Sequence, residues 1–156
     1  LAVAMAREAL TRLANTEASV AQEGNETPVE VSQIASELRR SLSELGADAV
    51  VEERGSHTAV PERVARAIVL AARQAIGNAF SHAGGRGLHV IVEAEPNAPV
   101  RVAVQDTGPG FDLETIGEDR LGIRASIIAR MAAVAGTAEI RSDSSGTVVE
   151  LTWRHG

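Results

Sequence analysis

The chain has 156 residues, a net charge of −6, no cysteine and no lysine, so that all 15 of its basic residues are arginine. This length suits one domain with its own core, and the missing cysteines exclude disulfides and fit a reducing, cytoplasmic compartment. The negative charge argues against a nucleic-acid partner, the missing lysine excludes a P-loop, and no apolar run reaches the roughly 20 residues that membrane insertion requires.

The first part of the chain predicts two helices. Residues 1–22 are rich in alanine and carry few apolar positions, which is typical of a stem that packs elsewhere. We therefore expect residues 1–24 to be a linker or the tail of a preceding helix in a longer protein, and residues 25–156 to be the main domain. Thr27, Pro28 and Glu30 then predict a helix start, a capping box with proline at its first position, and apolar residues at helical spacing continue this helix to Gly46.

The remaining elements alternate between strands and helices. A short strand over 49–53 and a loop over 54–57 precede a helix that Pro61 opens and that ends near Ala83. Alternating apolar residues predict strands over 88–94 and 100–104, a helix follows over 122–134, and residues 138–141 and 147–153 form a closing hairpin. This order predicts an α+β fold, a two-layer sandwich with helices on one face of a mixed, mostly antiparallel sheet.

The most informative motif is Asp106-Thr-Gly108-Pro-Gly110, at the exit of the strand that ends near Val104. A carboxylate can accept a hydrogen bond from an amino group, and glycines let the backbone approach a ligand closely. An acidic turn with glycines has the same pattern without any ligand, so the motif by itself leaves both interpretations open.

A second motif lies on the long helix, where Gln74, Asn78 and His82 are spaced to share one face. They form either a solvated stripe or one side of a cavity. In a cavity, the amide oxygen of Asn78 is a suitable ligand for Mg²⁺, which prefers oxygen ligands together with phosphates. His82 either donates to a phosphate or caps the end of the helix.

Two further motifs follow the strand. Gly122 is predicted to begin a helix, whose first N–H groups form a phosphate site unless the glycine only opens the helix. Arg120 and Arg124 flank it and can add charge-assisted contacts, whereas Ser126 and Arg130 are interpreted as packing and surface residues. Thr147, after Gly146, is placed to support the Asp106 carboxylate from the neighbouring strand.

Together these motifs resemble those of the GHKL (Bergerat-fold) ATPases, and specifically the ATP-binding catalytic domain of bacterial sensor histidine kinases paired with helix-turn-helix response regulators. Gln74-x-x-x-Asn78 resembles the N box, Asp106-x-Gly108-x-Gly110 the G1 box, Leu121-Gly122 the G2 box and Gly146-Thr147 the GT motif. The resemblance covers roughly residues 28 to 154. Residues 1–22 then resemble the tail of the dimerisation and phosphoacceptor helix.

The resemblance implies ATP and Mg²⁺ as cofactors. Asp106 would recognise adenine through its exocyclic amine, Asn78 would hold the metal, and Gly108 and Gly110 would admit the nucleotide. The start of the helix at Gly122 would hold the phosphates. The stretch from Phe111 to Leu121 would then be a lid. The implied partners are the protein's own phosphoacceptor helical domain, a response regulator and a second copy in the full-length protein.

Three departures from the family pattern bear on activity. Gln74 replaces the acid that such kinases often carry, and a glutamine cannot act as a base, although it can orient water or share metal coordination. We therefore expect Gln74→Glu to accelerate ATP hydrolysis. Arg120 replaces the first glycine of the G2 box and should stiffen the lid. None of the four histidines lies in a phosphoacceptor context, so the fragment alone should not label itself; these are His57, His82, His89 and His155.

A protein-histidine kinase domain is the function that these motifs favour. A degenerate nucleotide-binding regulatory module and a GHKL ATPase outside signalling are the alternatives.

Overall fold

The computed structural model describes residues 26–55, 58–109 and 118–155. In chain order its elements are β1 (Pro28–Glu30), α1 (Val31–Glu44), β2 (Val50–Arg54), β3 (Ala59–Pro61), α2 (Glu62–Ala83), β4 (His89–Glu93), β5 (Val100–Asp106), α3 (Glu118–Ala132), β6 (Thr137–Asp143) and β7 (Gly146–Trp153). The predicted stem over residues 1–24, Gly110 and residues 111–117 of the predicted lid lie outside the described residues.

The main sheet has five strands in the order β2-β4-β5-β7-β6. β2 pairs with β4 in parallel, and the other three pairs are antiparallel. Alternate residues of β4, β5 and β7 are buried, and the helices pack on this face. The predicted two-layer α+β sandwich is therefore confirmed.

The core lies between this buried face and the three helices. Its largest fully buried side chains include Leu38 of α1, Ile68 and Ile76 of α2, and Ile127 and Met131 of α3. The indole of Trp153 at the end of β7 donates to the carbonyl of Val134 at 3.0 Å, which ties the segment after α3 to the sheet. Within the described residues, no helix combines the length and the apolarity needed to cross a membrane.

The predicted helix start at Thr27-Pro28 is wrong. Residues 28–30 form a strand that pairs with β3, with Val29 opposite Val60, and the helix begins at Val31. Glu30 is extended at the N-cap and makes no side-chain cap, and its carboxylate instead accepts from the Ser32 hydroxyl at 3.3 Å. Pairing with a distant strand, which local sequence does not reveal, outweighs the capping signal in this segment.

Other boundaries agree with the predictions more closely. α2 begins one residue after Pro61 and ends at Ala83, as expected. β5 extends to Asp106, so that the acid of the G1-like motif is the last residue of the strand. The predicted helix start at Gly122 is wrong, because α3 begins at Glu118 and Gly122 lies in its second turn. The closing hairpin is present, and its turn is held by the Asp143 carboxylate, which accepts from the hydroxyl and the N–H of Ser145; these bonds lower the pKa of Asp143.

Candidate nucleotide-binding site

Asp106 lies at the end of β5 on the face that packs against the helices. Its neighbours on this face, Val102 and Val104, are buried, and Asp106 itself is 9% exposed. The backbone N–H of Gly108 donates to Asp106 Oδ1 at 3.0 Å, so the turn predicted from the motif is formed. Oδ2 accepts no hydrogen bond within the described ranges. One carboxylate oxygen therefore shapes the turn, and the other has no partner among the described residues.

Two glycines let the neighbouring chain segments approach this turn. Gly146 has φ +140°, and a Cβ there would lie 2.0 Å from the carbonyl oxygen of Asp106. Gly87 has φ +61°, and a Cβ there would lie 2.2 Å from the Thr107 hydroxyl. Thr107 in turn donates from its N–H to the carbonyl of Arg86 at 2.9 Å. Gly146 thus permits a close approach to the backbone of the turn, and Gly87 permits one to the Thr107 side chain.

Thr147 is directly opposite Asp106 in the β5–β7 pair and is buried. Its hydroxyl pairs with the Ser142 hydroxyl at 2.8 Å and makes no bond to the carboxylate. The predicted support of Asp106 by Thr147 is therefore wrong as a side-chain contact, because the Thr147 hydroxyl bonds its hairpin partner Ser142 instead. The glycine before it, Gly146, is the residue of this motif that contacts Asp106.

The polar stripe of α2 is placed as its spacing predicts. Gln74 and Asn78 are half-buried, and His82 is exposed in the last turn of the helix. The Oδ1 atom of Asn78 is buried, yet no donor in the described part of the chain reaches it. An amide oxygen that has lost water without gaining a donor costs about 1–3 kcal/mol. Asn78 therefore carries a free acceptor suited to a hard cation.

Gln74 is contacted by two residues of α3 that were assigned to packing and surface. Arg130 Nε donates to Gln74 Oε1 at 2.9 Å, and Ser126 Oγ lies 3.3 Å from Oε1 and 3.2 Å from Nε2. Both residues are half-buried, so Ser126 packs between the helices as expected, whereas Arg130 is not simply a surface residue. These contacts join α2 to α3 in the same helix turns that carry the polar stripe.

The G2-like motif supplies one further group. Arg124 is half-buried, and its Nε is buried without an acceptor among the described residues. An unpaired cation of this kind suits an anionic ligand such as a phosphate. Gly122 is exposed, and its N–H lies beyond the free N–H groups of the first helical turn, since α3 starts at Glu118. The roles of Gly122 and Arg120 in phosphate binding stay predictions, as does that of Gly110.

A cleft of about 520 Å³ opens beside the turn, and its lining includes His82, Arg86, Thr107 and Gly108. Arg86 belongs to none of the sequence motifs, because it lies in the glycine-rich loop between α2 and β4. A larger groove of about 730 Å³ between α1 and α2 contains none of the predicted site residues. The end of α2, the Asp106 turn and the β6–β7 hairpin thus meet at one polar cleft that carries positive charge.

Solved structures that match this fold include histidine kinases. The histidine kinase domain of a blue-light-activated kinase from Erythrobacter litoralis matches with a TM-score of 0.60 and 20% identity, over 81% of this chain and 67% of that chain. Histidine kinase AdeS of Acinetobacter baumannii matches at 0.58 and 17% identity, over 93% and 78%. The mycobacterial sensor histidine kinase MprB matches at 0.61 and 15% identity, over 81% and 95%.

At the level of sequence, no family model and no curated protein matches the chain. The likeness is one of fold, and the chain has the fold of these histidine kinases. The resemblance that the four motifs suggested is confirmed at this level.

Proposed function

We propose that the chain binds ATP with Mg²⁺ and presents the γ-phosphate to a histidine on an adjoining helical domain, as the ATP-binding catalytic domain of a sensor histidine kinase. The fold shared with histidine kinases supports the general kind of protein. The buried, unpaired Oδ1 of Asn78 carries the proposal of a metal-nucleotide site. In this proposal the donor that Asn78 lacks is replaced by the cation.

The chemistry of the neighbouring groups fits such a ligand. Asp106 offers one free carboxylate oxygen to the adenine amine at the bottom of the turn. Arg124 offers a buried unpaired guanidinium nitrogen to the phosphates, and Arg86 adds charge to the lining of the cleft, which Arg124 does not line. When bound, Mg²⁺ would neutralise charge on the phosphates, so the protein's own share of catalysis is mostly positioning.

The partners follow from this role. The acceptor imidazole is itself nucleophilic, so the kinase reaction demands less of a protein base than hydrolysis does. We propose that the phosphoacceptor helical domain, a response regulator and a second copy of the chain complete the working protein in the cytoplasm. An ATPase outside signalling is a poorer fit, because Gln74 cannot accept a proton from water.

Isothermal titration with a non-hydrolysable ATP analogue tests the proposal. The wild-type chain should bind the analogue more tightly with Mg²⁺ than with EDTA, and Asn78→Ala should remove most of this difference while the thermal midpoint changes little. Gln33→Ala serves as the matched control, because it deletes an exposed amide on α1 that lines the other groove. Equal binding of the analogue with Mg²⁺ and with EDTA would exclude the metal role of Asn78.

A further inference from the structure

The orientation of the Gln74 amide is determined by its partners. An arginine side chain has donors and no acceptor, so the atom that Arg130 Nε meets at 2.9 Å must be the amide oxygen of Gln74. The Ser126 hydroxyl, 3.3 Å away, donates to the same oxygen, and it accepts from the amide nitrogen at 3.2 Å.

Counting donors and acceptors shows what remains. An amide oxygen has two lone pairs and an amide nitrogen has two N–H groups. Arg130 and Ser126 use both lone pairs of Oε1, and Ser126 uses one N–H. Within the described residues one N–H of Nε2 is left over. Gln74 therefore has a donor to offer a ligand and no acceptor.

We propose that Ser126 and Arg130 are positioning residues that fix Gln74 as a hydrogen-bond donor to the terminal phosphate of the nucleotide. This inference rests on the nucleotide site proposed above. With its oxygen occupied, Gln74 can neither ligate the metal nor accept a hydrogen bond from an attacking water. Both positioning residues belong to α3, which follows the predicted lid, so nucleotide contact at position 74 is coupled to the placement of this helix.

The inference changes the expectation for Gln74→Glu. The new carboxylate would take the place of Oε1 and pair with Arg130, and a neighbouring opposite charge lowers the pKa of a carboxyl. A carboxylate held in this way is a weak base. Hydrolysis requires the base to take a proton from water while the water oxygen bonds to the terminal phosphorus and the bond to the bridging oxygen breaks, releasing ADP and phosphate. The single substitution should therefore not accelerate it.

Nuclear magnetic resonance of the wild-type chain gives the first test. The two side-chain NH₂ proton signals of Gln74 can be identified by their loss in Gln74→Glu. One of these signals should be insensitive to nucleotide. The other should shift with a non-hydrolysable ATP analogue and not with ADP. Identical responses to the two nucleotides, or no response, would overturn the inference.

Phosphate release by a set of four proteins gives the second test: the wild type, Gln74→Glu, Arg130→Gln and the double variant. We expect Gln74→Glu to release phosphate no faster than the wild type, because it also loses the N–H proposed to contact the terminal phosphate. The double variant should release phosphate about tenfold or more faster than Gln74→Glu, since a freed general base contributes at least that much. As the pH is lowered, the rate of the double variant should begin to fall at a higher pH than the rate of the single variant. The reason is that the pKa of the introduced carboxyl is higher without the Arg130 guanidinium beside it. Arg73→Gln in the Gln74→Glu background is the matched control, because Arg73 is exposed and takes no part in the hydrogen bonds of the Gln74 side chain.

The outcomes separate the two proposals. If calorimetry shows that the wild type does not bind the ATP analogue, the nucleotide site itself is wrong. If the wild type binds and Gln74→Glu alone releases phosphate as fast as the double variant, the role of Arg130 is wrong. If Arg130→Gln does not fold, the response of the wild-type Gln74 signals decides the matter.

Discussion

Gly122→Ala separates stability from nucleotide binding. Gly122 lies in the second turn of α3, and a Cβ built there meets no heavy atom within 4 Å. Packing therefore gives no reason for a glycine, and alanine should raise the free energy of unfolding by about 0.5–1 kcal/mol, because glycine loses more backbone entropy in a helix. For a chain of this size the midpoint of thermal unfolding should rise by about 1–4 °C.

The same substitution should weaken ATP binding if the glycine exists to let phosphate approach. A methyl group that displaces one charge-assisted hydrogen bond costs about 1.5–3 kcal/mol, which is roughly tenfold or more in affinity. Calorimetry with the ATP analogue and thermal unfolding of the same samples measure both quantities. A lower midpoint would refute the packing argument, and a higher midpoint with unchanged affinity would remove Gly122 from the nucleotide site.

The other predictions concern the Asp106 turn and the lid. Gly146→Ala should lower the free energy of unfolding by about 2–5 kcal/mol, because its Cβ would collide with the Asp106 backbone at a strained φ; Gly46→Ala, at φ +67° with nothing within 4 Å, should cost only about 1 kcal/mol in the same denaturant titration. Asp106→Asn should weaken analogue binding by about 1–3 kcal/mol, since it presents a donor to the adenine amine, and unchanged affinity would exclude the adenine contact. Hydrogen exchange over residues 111–121 should slow when nucleotide binds, whereas protection in the free protein equal to that of the core strands would contradict a lid.

The spacing of apolar residues correctly predicted the helices and strands that bury one face in the core. The apolar spacing of α2 and the alternation in β4 and β5 each reflect one buried face, and this can be read from local sequence. β1 and β3 could not be predicted in this way, because each strand has only three residues and pairs with a distant segment of the chain. At the start of α1, the N–H of Val31 also donates to the carbonyl of Thr58, next to β3. A capping signal was present at Thr27-Pro28, but the structure used those residues to pair with a strand.

The same distinction between local and long-range information applies to the candidate site. Asp106, Gly108 and Asn78 could be proposed as site residues from the sequence, because each belongs to a short motif whose chemistry is local. The partners of Gln74 could not, because Ser126 and Arg130 are 52 and 56 residues further along the chain and only packing of α3 on α2 brings them to it. Arg86 was missed for a related reason, since a loop arginine shows no pattern until the Thr107 backbone is seen to bond its carbonyl.

Gln74 shows why such partners decide the chemistry. Read alone, a glutamine at this position leaves two uses open, an oxygen for metal or water and an N–H for phosphate. Arg130 and Ser126 together remove the first use, because they occupy both lone pairs of the oxygen. A residue that donates to the terminal phosphate but cannot accept a proton from water holds the nucleotide without promoting its hydrolysis. In the function that we propose, this combination suits a domain that must keep ATP intact until an acceptor histidine arrives, and it ties that property to α3 and not to position 74 alone.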